Sequence, residues 1–377
     1  MKQKNKGWGT PRASGYGEAG ASLSKRSLRS FKPSSNSPNM DINMNGMTLR
    51  QRARMLYMAA PIATSAINTA RANVVGVGLT LKSTIDAELL RMSQDEAKTW
   101  QRKTEAEFRL WAGKKQNCDA LAMNTFKELQ QLTLKSWLMS GDVFVLLKRY
   151  ETTKMNPYSL RLHVVEADRI STPYDMRSNG YLVGATEGKT ENGNLIHDGV
   201  EVNADGQVIA YWVSSVYPAE IIDKEAKWTR VAVYGEKTGL PNILHIMSPE
   251  RPDQYRGVPY LAQVIEPLVQ IRRYTESELM AALIQSFFTA WIETEASTSD
   301  MPFNEVGAGD VNPVPGENPE TGISSSANEY EMGPGTVTVL KEGESVKFGQ
   351  PNIPTAGFDV FLNAFCRLVG AGLGIPK

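Results

Sequence analysis

An α+β fold with an antiparallel sheet is the class this sequence predicts, on three observations. Capped amphipathic segments dominate as far as Gly141. Beyond it, from Asp142 to Met247, the apolar period shifts from helical to alternating, in short runs at 143–147, 160–165, 208–213 and 242–247. The dipeptides Asn179-Gly180, Asn192-Gly193 and Asp205-Gly206 suit positive backbone φ. Strands joined by such local hairpins pair antiparallel, so a doubly wound sheet is not expected.

Each element can be justified in order. Residues 47–72 have helical spacing, with Thr48 as N-cap, an Arg50/Arg52/Arg54 face and a kink or split at Pro61. Residues 74–82 read as an extended pair or a strand. Gly76 and Gly78 within them are not a dinucleotide loop, because neither a third glycine nor a helix follows. Ser93 and Glu96 match a capping box that opens a helix reaching Trp111. Asn124 or Thr125 starts the next helix, which Gly141 stops.

The most informative stretch runs from Ser248 into a long helical pattern ending near Glu293. Leu261, Val264, Ile265, Leu268, Ile271, Leu279, Ala282, Leu283, Phe287 and Ala290 recur at helical spacing. About 30 such residues make a rod of roughly 45 Å, a strut more than a packing helix. Residues 295–335 are rich in Gly, Pro, Ser and Asn. Residues 336–340 and 345–348 read as a strand pair, and residues 358–369 as a second amphipathic helix.

The chain has 377 residues, enough for two or three domains, and its 41 basic and 41 acidic residues cancel. No global field therefore marks a nucleic-acid binder. No apolar run approaches the length of a membrane span and the start lacks a signal-peptide core, so neither spanning nor secretion is expected. Cys118 and Cys366, the two cysteines, read as reduced thiols of a cytosolic compartment. Residues 1–39 carry Lys2, Lys4, Lys6, Arg12, Lys25, Arg26, Arg29 and Lys32 against Glu18 alone. Such a segment buries too little apolar area to offset its ordering entropy, so a disordered basic tail is expected over 1–46.

Tests for chemistry are mostly negative. Asp41 to Gly46 matches the first half of a calcium loop, but the twelfth position is Arg52 where a bidentate Glu is needed. His163, His197 and His245 are far apart, and His163 and His245 lie in strand patterns, as structural histidines would. There is no GxSxG elbow and no phosphate loop. An enzyme with a β-rich substrate domain, its site assembled from distant residues, is the competing reading. Arg251, Arg256, Arg272 and Arg273 could grip phosphates. The acids beside them, Glu250, Asp253 and Glu276, favour ion pairs within or between subunits instead.

Several blocks together, in order, resemble the portal proteins of lambda-like tailed phages. They are Trp111-Ala112, Cys118-Asp119, Ser140-Gly-Asp-Val-Phe144, Gly199 to Val213, Leu244-His-Ile246, Arg251 to Pro259 and Gly370 to Pro376. The resemblance spans residue 47 to the last. It implies a ring, typically of twelve subunits, at one capsid vertex, through which double-stranded DNA is packaged and ejected. On this resemblance 47–259 is a wing domain, 260–293 a first stem helix, 294–350 a clip and 351–377 a second stem helix. Arg256, Glu266, Gln270, Arg272, Arg273, Glu276 and Glu278 would then face the channel or a neighbouring subunit. Glu293, Glu295, Lys341, Glu342 and Glu344 would belong to the clip, where the terminase large subunit and the head–tail connector dock. Major capsid and scaffold proteins are the other implied partners, with no cofactor, enzyme activity or membrane. Lambda-like portals continue past the Gly-Ile-Pro motif with Tyr-Glu into a tunnel loop and crown, so Lys377 in that place implies either a truncated or interrupted copy or a missing segment on another polypeptide.

Overall fold

The computed structural model describes residues 20–22, 25–32, 34–178, 186–220, 225–287, 291–294, 344–347 and 358–375. It divides into two compact units, Met1–Ile265 and Glu266–Lys377. The first holds five helices and eight of the strands. In chain order these are α1 (Pro38–Ala59), α2 (Pro61–Val74), α3 (Gln94–Gly113), α4 (Lys115–Cys118), α5 (Phe126–Ser140), β1 (Asp142–Arg149) and β2 (Leu160–Glu166). There follow β3 (Glu187–Lys189), β4 (Leu195–His197), β5 (Val200–Val202), β6 (Val208–Ser214), β7 (Trp228–Ala232) and β8 (Ile243–Met247).

The helix starts follow local chemistry. The Ser93 and Thr125 side chains accept from the backbone N–H of Glu96 and Glu128, whose carboxylates accept from the capping residues' own N–H, so both α3 and α5 open with full capping boxes. Pro61 splits the first helical stretch in two, as the missing N–H requires. The start of α1 differs from expectation. Ser37, not Thr48, is its N-cap, with Pro38 in the first turn, so residues 38–46 are helical and not part of a disordered tail. Tertiary partners explain the extension. Asn39 donates to the Asp253 carbonyl and accepts from the Tyr255 N–H, and Asn43 donates to the Glu187 carboxylate. Residues 77–82 are not a strand; Gly76 and Gly78 turn the chain at φ 55° and 103°, and Leu79 N–H donates to the Gln130 side chain.

Two antiparallel sheets form the β portion, one ordered β2-β1-β8 and the other β3-β4-β5-β6-β7. Gly193 and Gly206 turn at φ 86° and 81° between successive strands, as their dipeptides predict, whereas Asn179-Gly180 lies outside the described residues. A core of Phe144, Val165, Ile170, Val200, Val202, Tyr211, Val213 and Ile243 joins the sheets. His245 stacks on Phe144 with centroids 4.2 Å apart, and His163 lies in β2.

Above this core sits a balanced set of buried charges. Arg256 is 0 % exposed; its Nε donates to Asp142 at 2.7 Å, and its Nη1 to Asp198 at 2.7 Å and to the Ile170 carbonyl at 3.0 Å. Nη2 donates to the Ala167 carbonyl at 2.9 Å. Arg50 bridges Asp168 at 2.9 Å and Asp198 at 3.2 Å, and Arg54 also pairs with Asp168. Burial opposes the charge on both partners of the central pair. Their mutual attraction outweighs it, so Asp142 stays well below the carboxylate range and Arg256 is held above its usual value.

The same corner contains a backbone crossing that only glycine permits. Gly141 ends α5 at φ 89°, and a Cβ there would lie 2.5 Å from the Val258 carbonyl carbon. A Cβ on Gly257 would lie 1.9 Å from the Gly141 oxygen.

Three expectations follow for stability. Arg256→Leu strands two buried carboxylates and costs about 3–5 kcal/mol by urea unfolding. The folded pKa of Asp142 is depressed, so its contribution is fully present above the unfolded carboxylate pKa of about 4 and is lost as pH falls below that. The stability gap between the wild type and Asp142→Asn should thus be constant near neutrality and narrow below about pH 4. Gly141→Ala and Gly257→Ala should each cost about 3 kcal/mol, against about 1 kcal/mol for Gly239→Ala, where a Cβ meets open space.

Candidate functional site

The second unit carries most of the residues that the sequence singles out. Its first element is α6 (Ile265–Phe287), preceded by a short 3-10 turn at Ala262–Val264. The helix is unbroken because Pro267 lies in its first turn, where no intrahelical N–H is needed. At 23 residues it spans about 35 Å, shorter than the expected rod. It does not reach Glu293: Trp291–Thr294 form strand β9 instead, because an antiparallel partner claims their backbone.

The 3.6-residue period sorts the faces of α6. Leu268 and Ile271 are buried, at 2 % and 7 % exposure. Glu266, Gln270 and Arg273 are exposed and fall on the opposite face. Arg272 and Glu276 adjoin them, paired one turn apart at 2.9 Å and about 60 % exposed. Gln270 donates to Glu266 at 3.2 Å, another contact one turn apart. Glu278 is half-buried. An exposed pair of this kind contributes only about 0.3–0.5 kcal/mol, so fold stability alone does not account for this run of charge. Leu279 and Met280, at 63 % and 59 %, leave apolar side chains open on the same helix.

Strand β9 pairs antiparallel with β10 (Glu344–Lys347). The strand expected at 345–348 is therefore present, but its partner is Trp291–Thr294; residues 336–340 lie outside the described residues. This register sets Glu293 opposite Ser345 and Glu344 opposite Thr294, so the two glutamates occupy neighbouring rungs. Glu295, Lys341 and Glu342 lie outside the described residues. The last element is α7 (Phe358–Gly372), closed by Gly374 at φ 63°. Tyr274 of α6 packs on its first turn, 5.8 Å from Phe358 and 4.4 Å from Phe361 by ring centroids. Val360 and Leu368 of α7 are exposed, at 72 % and 57 %.

Arg256 is the correction among the sequence-predicted channel residues. It is enclosed within the first unit by Asp142, Asp198 and three carbonyls, so its side chain faces neither a channel nor a second subunit. The sequence reading missed its partners Asp142 and Asp198, and Asp168, which pairs with Arg50 and Arg54 beside them. One signal was available. Asp198-Gly199 forms the β4–β5 turn with φ 46° and 84°, the pattern an Asp-Gly hairpin favours. Arg251 is a surface residue paired with Asp41 at 2.5 Å. The Asp41 to Gly46 segment lies within α1 and is helix, not an ion loop.

Among the described residues, no group of three or more His, Cys, Asp or Glu side chains could hold a metal ion. Burial, then the Asp119 charge, pushes the Cys118 thiol up to about 11, which leaves it protonated and unreactive at neutral pH. No described helix is long and apolar enough to cross a membrane.

The family model for lambda-family phage portal proteins matches residues 24–377. A probable portal protein of Halomonas phage phiHAP-1 is 25% identical over 328 residues, covering 87% of this chain and 56% of its own length. Portal protein B of Escherichia phage lambda is 23% identical over 353 residues, covering 92% of this chain and 63% of the relative. The portal protein of Escherichia phage N15 is 22% identical, with the same coverages. The chain thus spans somewhat under two thirds of the length of these relatives. Among solved structures, the neck of a native gene transfer agent particle computed with C12 symmetry aligns with TM-score 0.46 and 14% identity, over 88% of this chain and 68% of that one. The family match over nearly the whole sequence, on a helical and antiparallel-β body, makes this chain a member of the lambda-family phage portal proteins.

Proposed function

We propose that this chain assembles into a ring at the unique vertex of a phage capsid and that double-stranded DNA passes through the ring during packaging and ejection. The family match over residues 24–377 is the observation that carries this reading. In it the chain is a structural component of the virion, assembled in the host cytoplasm. The terminase large subunit and head–tail connector meet the clip around β9 and β10, and capsid and scaffold proteins surround the ring. Twelve copies is the number the family resemblance suggests. The wing is residues 47–259, extended at its start by the first turns of α1, and α6 and α7 are the two stem helices.

The surface chemistry of α6 is compatible with such a conduit. Duplex DNA presents one charge per about 1.7 Å of axis, and a wall of lysine and arginine alone would hold what it must release. Here Glu266 and Glu276 alternate with Arg272 and Arg273, and Gln270 lies between them. The exposed Leu279, Met280, Val360 and Leu368 gain cover when copies stand side by side.

Purified full-length chain should give rings with a central hole by negative-stain microscopy and a multi-subunit mass by light scattering. A strictly monomeric protein at high concentration would overturn the proposal. Arg272→Glu with Arg273→Glu should lower ring yield severalfold while shifting the unfolding midpoint by under about 1 kcal/mol equivalent, because both side chains are exposed. Equal ring yield in this double variant would remove these residues from the assembly contacts.

A further inference from the structure

A cleft of about 400 Å³ in the first unit lies where the two sheets part, and it concentrates positive charge without a matching acid. Lys148, His163 and Arg169 line it, and no carboxylate does. The register makes the accumulation sharper. Lys148 of β1 sits directly opposite Arg161 of β2, like charges in the arrangement that destabilises a strand pair, and His163 follows two residues along on the same face. The Arg161 guanidinium rests 4.5 Å above the Tyr150 ring, and its Nε is buried without a hydrogen-bond partner. Lys148 makes no ion pair among the described residues.

Donors remain free at the cleft. His163 Nδ1 is buried and has no partner. Arg169 spends Nε and Nη2 on the Ser214 carbonyl at 3.0 and 2.8 Å, which leaves Nη1. Burial, then Lys148 and Arg169, hold His163 below the usual imidazole range, against the opposing pull of Asp119. Asp119 does not line the cleft, and its carboxylate oxygens are engaged by the Leu121, Met123 and Asn124 backbone N–H groups. The inner wall is different in kind. Leu146, Val213 and Val231 belong to or pack on the inter-sheet core and present apolar surface.

We propose that this cleft binds a phosphate monoester, its phosphoryl oxygens held by Lys148, His163 and Arg169 and its organic part lying on Leu146, Val213 and Val231. A phosphate monoester carries about −1.5 to −2 charges and three acceptor oxygens near neutral pH, against the single charge of a carboxylate. That matches three cationic donors once His163 is protonated. The volume falls within the range of small-ligand sites, about 300–1,000 Å³, and exceeds what inorganic phosphate alone fills. The inference is independent of ring formation.

Titration calorimetry of the full chain with phenyl phosphate, inorganic phosphate and phenol tests it, in buffers of differing ionisation heat. Phenyl phosphate should bind more tightly than inorganic phosphate, phenol should not bind, and binding should take up protons near neutral pH as His163 becomes charged. Lys148→Gln should weaken binding by about tenfold or more, through loss of a charge-assisted contact. His163→Gln should abolish the proton uptake while the unfolding transition stays intact. The proposal is overturned if neither phosphate gives binding heat, or if both variants bind phenyl phosphate as the unaltered chain does.

Discussion

A guanidinium that is wholly removed from water must be matched charge for charge, and Arg256 imposes that requirement on the first unit. An unpaired buried ion costs several kcal/mol even after relaxation, a large share of any domain's net stability. The match is made by Asp142 at the head of β1 and Asp198 in the β4–β5 turn. Arg50 shares the same Asp198 oxygen, Oδ2, with Arg256, and Arg50 and Arg54 take the two oxygens of Asp168. Three arginines and three aspartates thereby join α1, both sheets and the segment after β8. Other features of the corner serve the same closure. Gly141 and Gly257 let the two backbones touch, and the Gly257 N–H donates to Asp142 at 3.1 Å.

The helical unit follows a different physical logic. The polar groups of α6 stand in solvent and contribute little to its folding, while its apolar residues divide between buried Leu268 and Ile271 and exposed Leu279 and Met280. A helix whose charges do not stabilise it and whose apolar residues are partly open is suited to contacts beyond its own chain. Tyr274 against Phe358 and Phe361 ties α6 to α7, and the β9–β10 ladder ties the outgoing chain to the returning one. The two arginine populations therefore sit in opposite environments. Arg256 is buried and paired, whereas Arg273 and the Arg272–Glu276 pair stand in solvent.

Much of this architecture follows from short-range chemistry that a sequence displays. Capping boxes at Ser93 and Thr125, a break at Pro61, a positive-φ stop at Gly141 and alternation in β1, β2, β6 and β8 each depend on a few neighbouring residues. The ordered motifs from Trp111 to Pro376 were enough to mark the family, because they record the whole fold at once. The exposed charges of α6 were also legible, since a helical period assigns faces without knowledge of the neighbours.

What the tertiary structure alone decided are the outcomes of contacts between residues far apart in the chain. The nine residues by which α1 precedes its expected start are held by Asp253, Tyr255 and Glu187. Trp291–Thr294 leave the helical pattern because Glu344–Lys347 offer them a ladder. Arg256 looks like a surface cation in a charged loop until Asp142 and Asp198, 114 and 58 residues away, enclose it. Periodicity and capping act within a turn or two, so a sequence displays them directly. Burial and charge pairing depend on which distant segments meet, and only folding specifies that.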